Sequence, residues 1–134
     1  MLNQFDWKIR VYYEDTDTGG IVYYANYLKF FERARTEWLR AAGISQQVMV
    51  ATHARMFVVK GTAVEYHNPA RLDDELRLTV VVEKLGRASV VFAQEAWRGA
   101  QLLASGTIKV GCVDTQTLRP SAIPDEVLLR IQAQ

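Results

Sequence analysis

Hydrophobic and polar positions change their period along this chain, and each change marks an element. Ile9-Arg10-Val11-Tyr12-Tyr13 alternates and is rich in β-formers, which predicts a first strand. From Asn26 to Ala42, Tyr27, Phe31, Ala34, Trp38 and Ala42 recur at steps of three and four, with Lys29, Arg33, Glu37 and Arg40 on another side. That spacing predicts a long amphipathic helix, and Gly43 is suited to ending it. Ser45 to Thr52 adds a short helical turn. From Met56 the pattern turns β-rich through Val58, Val64 and Tyr66, until Asn68-Pro69-Ala70-Arg71 breaks it.

Leu76, Leu78, Val80 and Val82 then alternate with Arg77, Thr79, Val81 and Glu83, as in a strand buried on one face. Turns at Gly86 and at Arg98-Gly99 lead into strands over Ser89 to Trp97 and Leu102 to Cys112, so the three strands form consecutive antiparallel hairpins. Beyond Pro120 and Pro124, Glu126 to Ile131 reads as a short terminal helix. One early helix followed by a long meander needs the sheet to bury the helix's apolar stripe, which gives a two-layer α+β architecture. At 134 residues, positions 1–134 form one domain.

Composition adds mainly exclusions. The chain is 49% hydrophobic and 23% charged, within the globular range, and its formal charge of +1 supplies no global field to recruit nucleic acid or an anionic membrane. Cys112 has no partner for an internal disulfide, and with only His53 and His67 beside it no metal site or cofactor is expected. No stretch approaches the ~20 apolar residues of a membrane span. Met1 to Lys8 lacks the pattern of a secretion signal, and with the single cysteine this points to the cytoplasm.

The chemistry concentrates in Tyr13-Glu14-Asp15-Thr16-Asp17-Thr18-Gly19-Gly20-Ile21-Val22-Tyr23-Tyr24, between the first strand and the long helix. If strand geometry continues, Asp15 and Asp17 share one face and Glu14 takes the other. Gly19-Gly20 allows a sharp turn, and the start of the helix offers unpaired N–H groups carrying partial positive charge. A carboxylate beside such a helix end suits acyl transfer: it can attack a carbonyl or activate water while the N–H groups hold the oxyanion. The competing reading is a loop in which aspartate and glycine only cap and turn the chain. No P-loop, G-x-G-x-x-G or G-x-S-x-G is present.

From Tyr13 to Tyr27, continuing through Leu28-Lys29-Phe30-Phe31-Glu32-Arg33-Ala34-Arg35-Thr36-Glu37, the chain resembles the hotdog-fold acyl-CoA thioesterases of the 4-hydroxybenzoyl-CoA thioesterase type. It looks closest to the bacterial group associated with the Tol-Pal envelope system. The likeness extends through Val64-Glu65-Tyr66, Pro69 to Asp74 and Cys112-Val113-Asp114. It implies an antiparallel sheet wrapped around a central helix, an acyl-CoA substrate, and a homodimer or homotetramer with the active site near a subunit interface. The family's catalytic aspartate falls on Asp17, as nucleophile or general base, and its thioester-polarising N–H falls near Tyr24. Gly20 and Tyr13 join Tyr24 as expected substrate-side positions.

Tyr24 stands where close members of that group often carry histidine. A phenol with an ordinary pKa of about 10 is a poor base at neutral pH, but a backbone N–H does not depend on the side chain. The alternative is an acyl-CoA or lipid-binding partner of an envelope or lipid-synthesis complex, with vestigial hydrolysis. A hotdog hydratase is disfavoured because the loop has no histidine. Tyr13 and Tyr27 read as packing residues before catalytic ones, with Tyr13 close enough in sequence to touch the pocket; Glu32 and Arg35 read as solvated helix charges, with bracing of the loop or interface as the alternative, and His53 and His67 as outside the site. Lys84, Arg87 and Arg119 are candidates for the CoA phosphates.

Overall fold

In the computed structural model, which describes residues 3–134, strands β1 (Phe5–Arg10), β2 (Arg55–Tyr66), β3 (Glu75–Leu85), β4 (Ser89–Arg98) and β5 (Gln101–Asp114) form one antiparallel sheet. Its order is β1-β3-β4-β5-β2. Helices α1 (Asn26–Ala41), α2 (Gln46–His53) and α3 (Asp125–Gln132) complete the chain. Met1 and Leu2, part of the stretch read against a secretion signal, lie outside the described residues.

The hairpins form as expected, with Val81 opposite Ala93 and Ala93 opposite Thr107. Register shifts near Val59, Val82 and Ala96 insert extra residues, and such bulges bend a sheet. α1 lies against the sheet with Tyr27, Phe30, Phe31, Ala34, Trp38 and Leu39 buried among Leu76, Leu78, Val80, Phe92 and Ile108. This is the hotdog arrangement. Trp38 meets Phe92 edge to face at 5.3 Å between ring centres, a favoured geometry for aromatic pairs.

α1 ends where Gly43 adopts a left-handed φ of 79°. The Gly43 N–H donates to the Arg40 carbonyl at 2.9 Å and the Ile44 N–H to the Leu39 carbonyl at 2.9 Å, the paired bonds of a Schellman end. Ser45 caps α2 by accepting from the Val48 N–H at 3.2 Å.

Three sequence expectations are corrected. The first strand begins earlier and stops at Arg10, because Val11 leaves the sheet edge to exchange bonds with the Asp73-Asp74 backbone. Thr79, read as a solvent-side position, is buried, and its Oγ1 accepts from the Glu95 N–H at 3.0 Å. Arg35, read as a solvated charge, is only 9% exposed, because its place on α1 faces Gln94 of β4.

Candidate active site

The acidic loop does not continue the strand. Tyr13–Asp15 form one turn of 3-10 helix, which breaks the two-residue alternation and separates the carboxylates. Asp15 is 5% exposed and both its oxygens are engaged: Oδ2 accepts from the Tyr12 N–H at 2.8 Å and Oδ1 from the Asn26 amide at 2.7 Å. It ties the loop to the first turn of α1, so the expectation that Asp15 shares a face with Asp17 fails. Glu14 and Asp17 remain exposed.

Asp17 heads a tight reverse turn. Its Oδ1 accepts from the Gly19 N–H at 2.9 Å, its carbonyl from the Gly20 N–H at 3.0 Å, and its N–H donates to the Ile21 carbonyl at 2.9 Å. Gly20 sits at φ 76°, a conformation that costs other residues about 1–2 kcal/mol. A bridge between Thr16 and Val22 closes the turn, and a second bridge from Ile21 to Arg71 fastens it to the segment before β3.

That segment is itself braced. Asp74 accepts from the Arg71 N–H at 2.8 Å and from Arg98 Nη1 at 2.6 Å. Partial burial of Asp74 works to raise its pKa, but the Arg71 N–H and the Arg98 guanidinium outweigh it and hold the carboxyl below its ordinary value. The Val22 N–H donates to the Ala70 carbonyl at 2.9 Å, so the brace reaches the residues just before α1.

α1 opens with Ala25 at its N-cap, a residue with no side-chain acceptor for the helix donors. Tyr23 donates its N–H to the Asp15 carbonyl at 3.0 Å and Asn26 to the Tyr23 carbonyl at 2.8 Å. Between them, the N–H groups of Tyr24 and Ala25 have no acceptor among the described residues. Two open donors at the positive end of a 16-residue helix can stabilise an oxyanion.

Beside them lies a cavity of about 260 Å³ lined by Val22, Tyr24, Tyr27, Tyr66, His67 and neighbouring residues. The Tyr66 hydroxyl donates to the Tyr24 carbonyl at 3.1 Å, and its ring meets Tyr24 edge-on at 5.9 Å between centres. Burial pushes the Tyr27 and Tyr66 phenols upward, so both remain protonated donors at neutral pH.

Of the expected site residues, Tyr24 lines this cavity, whereas Asp17, Gly20 and Tyr13 do not. Asp17 and Gly20 lie in the turn leading to it, and Tyr13 projects from the loop, 83% exposed. Tyr66 and His67 were missed as neighbours of the site; they arrive from the far end of β2, some forty residues along the chain. His67 Nε2 lies 2.9 Å from Ser105 Oγ. His53, on α2, approaches only Glu126 at 4.0 Å. Lys84, Arg87 and Arg119 lie at the opposite end of the sheet, with Arg55 and Asp114.

A hotdog sheet with this loop at its helix start defines a thioesterase-like protein: the model described as the thioesterase-like superfamily matches residues 11–131, and the chain belongs to that family. Among its relatives, acyl-CoA thioesterase YbgC of Haemophilus influenzae is 46% identical over 125 residues, covering 93% of this chain and 92% of the relative. The acyl-CoA thioester hydrolase YbgC of Escherichia coli O157:H7 is 44% identical, covering 92% of each chain. A probable thioesterase from Bartonella henselae superposes with a TM-score of 0.87 at 29% identity, over 91% of this chain and all of the other.

Proposed function

We infer that this chain hydrolyses acyl-CoA thioesters at the Asp17 loop, the thioester oxygen being held by the Tyr24 and Ala25 N–H groups. The observation that carries the reading is the pair of open N–H groups at the start of α1, in a chain whose exposed Asp17 lies in the turn leading to them and which is at least 44% identical to named acyl-CoA thioester hydrolases. As negative charge develops on the thioester oxygen, the two donors and the helix dipole stabilise it without reorganising.

Asp17 acts in one of two ways. As nucleophile its carboxylate adds to the thioester carbon, CoA thiolate leaves, and water cleaves the resulting anhydride. As general base it takes a proton from water, whose oxygen adds to the same carbon while CoA leaves. Gly20 presents Asp17 by holding the turn, and Tyr13 offers a substrate contact from the loop's rim. Asp17→Asn keeps size and removes charge. Expected is a loss of about a hundredfold or more in CoA release with an unchanged unfolding midpoint; release close to wild type would refute the assignment.

The active unit is a dimer paired along β2. This strand forms an edge of the sheet, runs for twelve residues, and has its outer side unpaired among the described residues. A long edge bearing half-exposed Val59 and Tyr66 is a template for another strand. An isologous pairing of two β2 strands is antiparallel about their middle, which sets the Arg55–Val59 end of one protomer beside the Tyr66 end of its partner. Lys84, Arg87 and Arg119 then flank the partner's loop and remain candidates for the CoA phosphates. The free, buried thiol of Cys112 supports residence in a reducing, cytoplasmic setting. No helix among the described residues is long and apolar enough to cross a membrane.

A further inference from the structure

A second cavity, of about 140 Å³, lies at the other end of β2 from the Tyr24 cavity, between α1, α2, β2, β4, β5 and α3. Its walls are largely apolar, with Trp38, Phe57, Val90 and Phe92 prominent, and one buried cation, Arg35, enters it. Arg35 Nη1 donates to Gln94 Oε1 at 2.9 Å, and the guanidinium lies 5.9 Å from the centre of the Phe92 ring. The orientation of Gln94 is fixed, because its amide nitrogen donates to the Phe31 carbonyl at 3.0 Å and the Thr79 carbonyl at 3.4 Å.

Gln94 is neutral, and among the described residues no carboxylate approaches Arg35 within 4.0 Å. Burial lowers the Arg35 pKa, and the charge of Glu32, exposed in water at the cavity mouth, opposes that only partly. A buried charge without a counter-ion is unfavourable by several kcal/mol. A guanidinium with one neutral acceptor keeps donors available for a planar anion, the geometry that carboxylates match.

We propose that this cavity receives the distal end of an acyl group carrying a terminal carboxylate, with Arg35 as the residue that selects it. The volume suits a short chain: a cavity of about 150 Å³ lined by aliphatic and aromatic side chains holds one benzene. A half-thioester of a dicarboxylic acid with about five carbons matches both the volume and the charge. This rests on the reading above, in which pairing along β2 brings the Phe57 end of one protomer to the Asp17 loop of its partner. Glu32 sits in water, where its repulsion is screened, whereas Arg35 acts in a low-dielectric wall.

The test measures binding and turnover separately. Calorimetry compares two non-hydrolysable thioethers, S-(4-carboxybutyl)-CoA and S-pentyl-CoA, and kinetics compares glutaryl-CoA with valeryl-CoA. Wild type is expected to favour the carboxylated member by about tenfold or more in each pair. Arg35→Gln should bring the ratio close to one, and Arg35→Lys should keep part of it. A wild-type ratio of one or less overturns the proposal, as does an Arg35→Gln variant that weakens both ligands equally. Should Arg35→Gln fail to fold, the wild-type ratio and the Arg35→Lys variant decide. A binding preference without turnover counts against the Asp17 chemistry and for the cavity; turnover of both thioesters without preference does the reverse.

Discussion

The Asp17 loop and the Arg35 cavity are built by opposite means. Within about ten residues the loop gathers a carboxylate, a left-handed glycine and the open donors of a helix start, and it stays exposed. The cavity buries its one cation and draws its walls from six elements spread between Glu32 and Ile131. Chemistry made of backbone N–H groups and turns can be assembled locally, whereas a shaped, water-poor recess needs the whole fold. Disturbing the exposed Asp17 turn should therefore change turnover more than stability, and disturbing the cavity should change stability and selectivity together.

Gln94→Leu sets the upper end of that contrast. It leaves Arg35 Nη1 without its acceptor in the core and removes the amide that bonds the Phe31 carbonyl, and a loss of about 3 kcal/mol is expected in urea unfolding. A change under about 0.5 kcal/mol would mean that the buried cation is already satisfied by other groups.

Asp15→Ala probes the loop from beneath. Asn26 and the Tyr12 N–H lose their acceptor, which should lower stability by about 2 kcal/mol. Because Asn26 begins α1, the open donors shift as well, and a fall of about tenfold in kcat is expected beyond any loss of folded protein. Full activity in the folded fraction would show that Asp15 does not position the helix start.

Asp74→Asn gives the smallest effect and one with a pH signature. The folded-state pKa of Asp74 is depressed, so its contribution is present above the unfolded-state value and is lost as pH falls through the folded one. The wild-type unfolding free energy should drop in acid, below about pH 4, and the variant's curve should be flatter there. At neutral pH the variant should be less stable by about 1 kcal/mol. Parallel curves for the two proteins would remove the Asp74–Arg98 brace from the picture.

What could be read in the sequence follows the same division. The helix from Asn26, its end at Gly43 and the three hairpin strands were legible because period and turn residues are local signals. The Asp17 turn was legible for the same reason, and the family likeness rested on that contiguous run. The burial of Asp15 was not, since strand alternation was extended into residues that form a 3-10 turn and bond to Asn26. Arg35 looked like an ordinary surface charge; only the arrival of Gln94, 59 residues later, makes its position interior. Tyr66 and His67 likewise reach Tyr24 only because β2 lies at the sheet edge next to β5.

The central claim, that the carboxylate of one protomer serves the cavity of its partner, can be tested by mixing two disabled proteins. Asp17→Asn and Arg35→Gln chains are unfolded together and refolded at equal concentration, and turnover of glutaryl-CoA is measured against each variant refolded alone. In a mixed dimer one site pairs an intact Asp17 with an intact Arg35 from the other chain, so recovery to about one quarter of wild-type activity is expected. Activity no greater than the mean of the two parent variants, with mixed dimers shown to form, would contradict a site shared across β2.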